Sequence, residues 1–348
     1  MTDDSQKGHF FAIDRRSWAK ACDCGMNAAV AYLVLACGTG GDNRKTSWSA
    51  QAIHNYTGMA WPKGKQAIRQ LIQTGLVCHS KDHTKERPSY ELIPSQVNEG
   101  EIDLSGEDLI WLPNSIVKGT SKGETSPLHR LRSAGDVRAL QLFFNLYHSQ
   151  NLRDDGGISP TTLWKSYERR KLSEHGIYNI WAFKESAGFL RPENPAFSHY
   201  RARRARPHEA DKGIEWRAIT LLTDMGLLNF IPHLVESDSA DAEVVHPLGM
   251  GNRWEEPIEA EIGEAARDAA ASMCADWAMQ NAENDDFENF CPVLRTLPNV
   301  QLIGIARLRY RPHTKMTSAW YAQLCESGKA AIEKYRKLSG SNREVKYG

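Results

Sequence analysis

Apolar residues fall at helical spacing in a twelve-residue phrase that occurs twice, as QAIRQLIQTGLV at Gln66–Val77 and RAITLLTDMGLL at Arg217–Leu228. Ala67/Ala218, Ile68/Ile219, Leu71/Leu222, Gly75/Gly226 and Leu76/Leu227 are identical. In each copy the apolar positions predict a helix, and the glycine predicts its end, where left-handed backbone costs least. A β-prone run comes next.

Around the first copy the pattern extends in both directions. Ala28–Cys37 (AAVAYLVLAC) predicts an apolar helix, followed by the polar loop GTGGDNRKT. Ser47–Tyr56 predicts a second helix with Ser49 as its cap. Thr57-Gly58 makes a tight turn, Met59 is an apolar anchor, and Trp61-Pro62 opens the third helix, where proline is tolerated at the first position. Beyond Gly75, Leu76–His79 and Ser89–Ile93 can pair as strands around the basic tip Lys81–Arg87 (KDHTKER).

Residues from Trp18 to Ile93 resemble the winged helix-turn-helix superfamily, in the variant found in phage and plasmid replication proteins and mobile-element regulators. The resemblance is carried by Ile53-x4-Gly58-Met59 and by Ala67-Ile68-x2-Leu71-x3-Gly75-Leu76. It implies that the third helix enters the major groove of DNA while the wing touches flanking backbone. The chain departs from the family in having Ala60 where a capping serine or threonine is usual, and Gly64 inside the third helix, at a cost of about 1 kcal/mol relative to alanine.

The second copy sits in a different context. Asp136–Gln150 predicts a buried first helix with Leu140, Phe143, Phe144 and Tyr147 in its core. Ser159–Arg169 reads as a second helix, with Ser159 as cap and Pro160 at its first position. About forty residues intervene before the repeated helix. They hold the strand-like pieces Ile177–Phe183, Gly188–Leu190 and Phe197–Tyr200, and the cluster Arg201, Arg203, Arg204 and Arg206.

Aligning the two repeated helices separates their outward faces. The first presents Lys63, Lys65, Gln66, Arg69, Gln70 and Gln73, all able to hydrogen-bond base edges or phosphates. The second presents Ile214, Trp216, Arg217, Thr220, Leu221 and Asp224, a largely apolar row suited to packing or dimerisation. After it come a helix over Ile258–Asn281, a strand over Val300–Tyr310 and a last helix over Thr317–Leu338. RLRYRPHTK, from Arg307 to Lys315, reads either as a phosphate-contacting segment or as a set of internal ion pairs.

Charge sharpens this picture only when it is divided along the chain. The formal net charge is zero, yet Asp241–Arg295 holds 13 acidic residues against 3 basic ones. Such segregation suggests a basic face for a polyanion and an acidic segment that solvates, docks intramolecularly or repels DNA; solvated faces are the plain alternative. The 348 residues predict two or three domains, and 41% hydrophobic composition suffices for a buried core. No stretch approaches the roughly 20 apolar residues of a membrane span. The start MTDDSQK does not read as a signal peptide, so a cytoplasmic location is expected. Seven cysteines without a C-x2-C pair argue for reduced thiols.

Catalytic motifs are missing from the sequence: there is no G-x4-GK[ST], H-E-x2-H or G-x-S-x-G, and the histidines are scattered. His79 and His83 flank the wing tip, where phosphate contact is a simpler role than metal binding. The expectation is therefore a non-enzyme without cofactor or metal. Its fold class is α+β and mainly helical, with tandem winged units over 1–100 and 101–250 and an α/β extension over 251–348. Its partner is double-stranded DNA, with a homodimer through the second unit and a host or element protein as further partners. The DNA contacts fall on Lys63, Lys65, Gln66, Arg69, Gln70 and Gln73 of the helix, on Lys81, His83, Lys85 and Arg87 of the wing, and on Arg201, Arg203, Arg204 and Arg206. Transcriptional regulator, replication initiator and protein-interaction adaptor remain open as outputs, since one scaffold serves all three.

Overall fold

A helix that is apolar on every side has to be surrounded, and α2 (Met26–Cys37) is buried from Ala28 to Cys37. In the computed structural model, which describes residues 10–94, 96–98, 101–102, 108–120, 124–190, 209–237, 242–252, 254–311 and 314–343, the chain forms two compact units. The first comprises 1–149, 206–227 and 310–312; the second comprises 150–205, 228–309 and 313–348. Positions 100 and 250, where the sequence suggested boundaries, fall inside the first and the second unit.

In the first unit, β1 (Phe10–Asp14) leads into α1 (Arg15–Asp23), where the Asp14 carboxylate caps the helix by accepting from the Ser17 N–H at 2.7 Å. After α2 come β2 (Lys45–Thr46), α3 (Ala50–Thr57), α4 (Trp61–Gln73), β3 (Val77–His79) and β4 (Tyr90–Leu92). The three strands form one antiparallel sheet in the order β2-β4-β3. Ile53, Met59, Ala67, Ile68 and Leu71 are buried where α2, α3 and α4 meet. Short strands β5 (Gln96–Asn98) and β6 (Glu101–Ile102) pair with each other, and β7 (Leu109–Pro113) pairs with β1. Helices α5 (Ser115–Lys118), α6 (Pro127–Ala134) and α7 (Val137–His148) come after them. The core side chains Leu140, Phe143, Phe144 and Tyr147 of α7 are buried, and Phe144 meets Trp18 edge to face at 5.2 Å. Helix α8 (Glu209–Asp224) completes the unit, held by Arg130, which donates to the Met225 carbonyl.

The second unit corrects the fold expected from sequence: the chain is a mixed α+β protein and does not contain tandem winged helices. Its centre is a curled antiparallel sheet of six strands in the order β13-β12-β15-β10-β11-β14. The short pair β8 (Gln150–Asn151) and β9 (Gly157–Ile158) comes first in the chain. The sheet strands are β10 (Leu163–His175), β11 (Tyr178–Leu190), β12 (Leu228–Val235), β13 (Val244–Pro247), β14 (Asn289–Leu294) and β15 (Gln301–Leu308). Helices α9 (Pro257–Met273) and α10 (Asp276–Asn284) divide the single helix expected over Ile258–Asn281, and α11 (Lys315–Arg343) packs on α9. Ile258, Ile262, Ala266 and Ala269 of α9 share a core with Leu234, Val293, Leu302, Trp320 and Leu324.

Two elements account for the difference. The cap signal at Ser159-Pro160 is spent on a single turn, in which the Thr161 N–H donates to Ser159 Oγ at 3.3 Å and the Thr162 N–H to the Ser159 carbonyl at 2.8 Å. From Leu163 the backbone is a strand, hydrogen-bonded to β11 on one side and β15 on the other. Local propensity loses to pairing with a segment far along the chain. The strand-like pieces Ile177–Phe183 and Gly188–Leu190 lie along the second arm of this hairpin, and Phe197–Tyr200 is outside the described residues.

The repeated phrase itself folds alike in both places. Gly75 and Gly226 take φ of 73° and 59°. The Leu76 N–H reaches the Leu71 carbonyl at 3.0 Å and the Leu227 N–H the Leu222 carbonyl at 2.9 Å, with Gly75 to Ile72 and Gly226 to Thr223 as the inner bonds. This is the same helix-ending motif twice. The strands beyond the two glycines differ: β3 turns back locally on β4, whereas β12 runs for eight residues between β13 and β15. The second copy therefore straddles the division between the units and carries no wing of its own.

Candidate nucleic-acid interface

Helix α4 buries Gly64, Ala67, Ile68 and Leu71, which leaves Lys63, Lys65, Gln66, Arg69 and Gln73 exposed. No carboxylate occurs anywhere in α4. A Cβ at Gly64 would meet the Ala50 Cβ at 3.5 Å, ordinary contact, so the glycine lies where α4 approaches α3 without being sterically required. Ala60, at the N-cap, supplies no side-chain acceptor, and the first turn contains no acidic residue. The positive end of the helix is therefore not neutralised by its own side chains.

Gln70 departs from the expected outward row. It is half-buried, and its Nε2 donates to the Cys24 carbonyl at 2.9 Å, bracing the turn between α1 and α2. Trp61, whose sequence position marks only a helix start, is 47% exposed. The Lys65 ammonium lies 3.5 Å from its ring centroid, a cation–π contact one helical turn apart. The i, i+4 spacing of the two residues was the available signal.

The turn before α4 is held from outside. Ser126 Oγ donates to the Tyr56 carbonyl at 3.2 Å and Arg132 Nε to the Thr57 carbonyl at 2.8 Å, so α6 satisfies carbonyls at the C-terminal end of α3. Side chains on α4 thus project from a braced platform.

After Gly75, β3 and β4 form the hairpin. Its tip is closed by the His83 N–H to the Ser80 carbonyl at 3.1 Å and by the Arg87 N–H to Thr84 Oγ1 at 2.9 Å. Lys81, Lys85 and Arg87 are exposed there, alongside Asp82 and Glu86. His83 is half-buried: its Nδ1 faces the Ser89 amide at 3.1 Å, and its ring lies 3.9 Å from His79 and 5.3 Å from Tyr90. It acts as a fastener of the hairpin, which differs from the phosphate contact expected of it. Burial, then the neighbouring His83, lowers the pKa of His79. From Phe10 to Pro94 the chain has eleven lysines and arginines against six aspartates and glutamates, so this stretch is basic within a neutral protein.

Arg201, Arg203, Arg204 and Arg206 lie outside the described residues, as do the side chains of Ile214 and Trp216. Leu221 is half-buried, and Arg217, Thr220 and Asp224 are exposed. The segment from Arg307 is not a phosphate-contacting ribbon at its start. Both Arg307 terminal nitrogens lie 2.7 Å from the Glu259 carboxylate, with the side chains 3% and 0% exposed. Arg309 stacks over Trp254 at 4.7 Å. The acidic stretch is likewise answered inside its own unit, by Arg336 on Glu261, Arg170 on Asp285 and Arg267 on Glu283.

A Cys–Tyr–His chain in the second unit, buried at Cys291 and Tyr335 and half-buried at His246, links Cys291 Sγ to Tyr335 Oη at 3.1 Å and Tyr335 Oη to His246 Nε2 at 2.7 Å. Burial pushes the Cys291 thiol up to about 12 and His246 down to about 4. All three groups are held neutral, opposite to what an activated thiolate needs. Among the described residues no three His, Cys, Asp or Glu side chains are grouped to hold a metal, and no helix is long and apolar enough to cross a membrane. No family model, curated protein or solved structure matches the chain.

Proposed function

We propose that the first unit binds double-stranded DNA, with α4 in the major groove and the β3–β4 tip on the adjacent backbone, and that the protein is a sequence-specific regulator of a phage or mobile element. The observation that carries the reading is the acid-free, exposed face of α4, followed directly by a hairpin whose tip presents Lys81, Lys85 and Arg87. Two further features support it: the winged-helix resemblance of Trp18–Ile93 and the strand order β2-β4-β3. Backbone neutralisation would supply most of the affinity, and the α4 side chains the choice of sequence. The same interface would serve a replication initiator, in which case iterated repeats would bind better than a single site. A cytoplasmic location fits the seven cysteines, all free of disulfides.

Selected and random duplexes test this. Lys65→Ala, Gln66→Ala and Arg69→Ala should each weaken binding to the selected site by about 1–3 kcal/mol, with smaller losses on random DNA. Equal losses on both would show that these side chains do not read bases.

The wing contributes differently. Replacing Lys81, Lys85 and Arg87 together should weaken binding to every sequence alike and reduce the salt slope by roughly one unit per lost phosphate contact. A slope left unchanged by the triple substitution, in titrations from low to moderate salt, would mean that the tip points away from DNA.

A further inference from the structure

A large aromatic side chain at the start of α4 is out of keeping with its surroundings. Trp61 is 47% exposed, while the other long exposed side chains of α4, Lys63, Lys65, Gln66, Arg69 and Gln73, are all polar. The Lys65 ammonium sits 3.5 Å from the ring centroid, against one part of an indole that is otherwise half open to solvent. The pair is thus an apolar surface flanked by positive charge.

The major groove of DNA displays hydrogen-bonding atoms on every base pair, and one apolar group, the 5-methyl of the pyrimidine ring. Polar side chains on α4 can engage the former. Trp61 has nothing to gain from them except through its single indole N–H, whereas a methyl group against its ring removes apolar surface from water on both sides. The surrounding charge is complementary to the same occupant, since α4 carries three cations and no carboxylate.

We propose that Trp61 is a specificity-determining residue that reads a pyrimidine 5-methyl group in the major groove, with Lys65 as its positioning residue. This rests on the reading of α4 as the DNA-contacting helix. The methyl group has two sources, thymine and 5-methylcytosine, and they are separable by chemistry on the DNA alone.

The experiment uses the full chain and a selected duplex in which each thymine is replaced in turn by deoxyuridine, which lacks only the methyl. At one or two positions the replacement should weaken binding about fourfold, the contribution of one buried methyl. Trp61→Ala should bind the thymine and deoxyuridine duplexes equally, and Trp61→Phe should keep part of the difference. If the methyl comes from 5-methylcytosine, methylating one cytosine should instead tighten wild-type binding about fourfold and leave Trp61→Ala unaffected. Thermal unfolding of both variants at the wild-type temperature confirms that they are folded. Specific binding that ignores every methyl, or a methyl preference that persists in Trp61→Ala, overturns the proposal and leaves the DNA reading intact. A folded chain with no affinity for any duplex overturns both.

Discussion

Replacing Arg307 with methionine should destabilise the second unit by about 3–5 kcal/mol, because it leaves the Glu259 carboxylate buried and unpaired. Glu259 sits on the first turn of α9, where one of its oxygens also accepts from the Glu256 N–H at 2.7 Å and closes a capping box. Arg307, on β15, reaches it with both terminal nitrogens. The pair therefore fastens a helix to the central sheet. Burial pushes the Glu259 carboxyl upward, but Arg307, His233 and the Glu256 N–H together pull it below its ordinary value. Glu259→Gln alone should be similarly costly, since it strands the guanidinium. The double variant Glu259→Gln/Arg307→Met should recover much of the loss, because a neutral pair of similar volume demands no charge compensation. Amide exchange in β12 and β15 reads the unit directly. Single-variant losses below about 1 kcal/mol would show that water reaches the pair.

Acid should weaken the same unit well before its carboxylates titrate. Burial lowers His233 to about 4 and His246 to about 4. His233 is faced by Glu259, Arg307 and His246, and its Nδ1 lies 2.7 Å from the Ile231 carbonyl; His246 is faced by Tyr335 and Lys334. Above the ordinary histidine pKa of about 6.5, folded and unfolded forms are both neutral and nothing is lost. As pH falls below that value the unfolded chain takes up protons that the folded chain refuses, and stability declines until about pH 4. The expected loss is on the order of 3 kcal/mol per histidine. Glu255, whose carboxyl is raised chiefly by burial, opposes this with the other sign. His233→Gln and His246→Gln should each flatten the pH dependence between about 6.5 and about 4. Denaturant unfolding at neutral pH and near the lower end of that window that gives equal stabilities for the wild type would refute both assignments.

Much of the candidate interface was legible because it is local. The exposed row of α4 comes from helical spacing of apolar positions within thirteen residues, and the hairpin tip from a charged run between two β-prone segments. Gln70 and His83 have contacts that the sequence does not announce, for a common reason. Each satisfies a backbone group that no periodicity reveals, at Cys24 in one case and Ser89 in the other. In the sequence, the position of Trp61 before Pro62 accounts for it as a helix start and nothing more. Only its 47% exposure shows that the indole stays open to solvent although Gly64 and Ile68, on the same side of the helix, are buried.

The repeated phrase marks the limit of what sequence alone determines here. Its apolar spacing and its glycine dictate a helix, a left-handed stop and a strand in both copies, because each step depends on residues within one or two turns. The amino-acid order also determines the basic character of the N-terminal stretch. Which partner each strand takes is a different matter. β3 finds β4 close by in the chain, while β12 and β10 find β15 from far along it, and that choice is made by burying Ile231, Leu234, Ile303 and Ile305 in one sheet. Tertiary structure likewise turned Arg307 from a surface cation into the partner of Glu259. A charge or strand can be read from its residue types, but its counterpart is supplied only when distant segments are packed together.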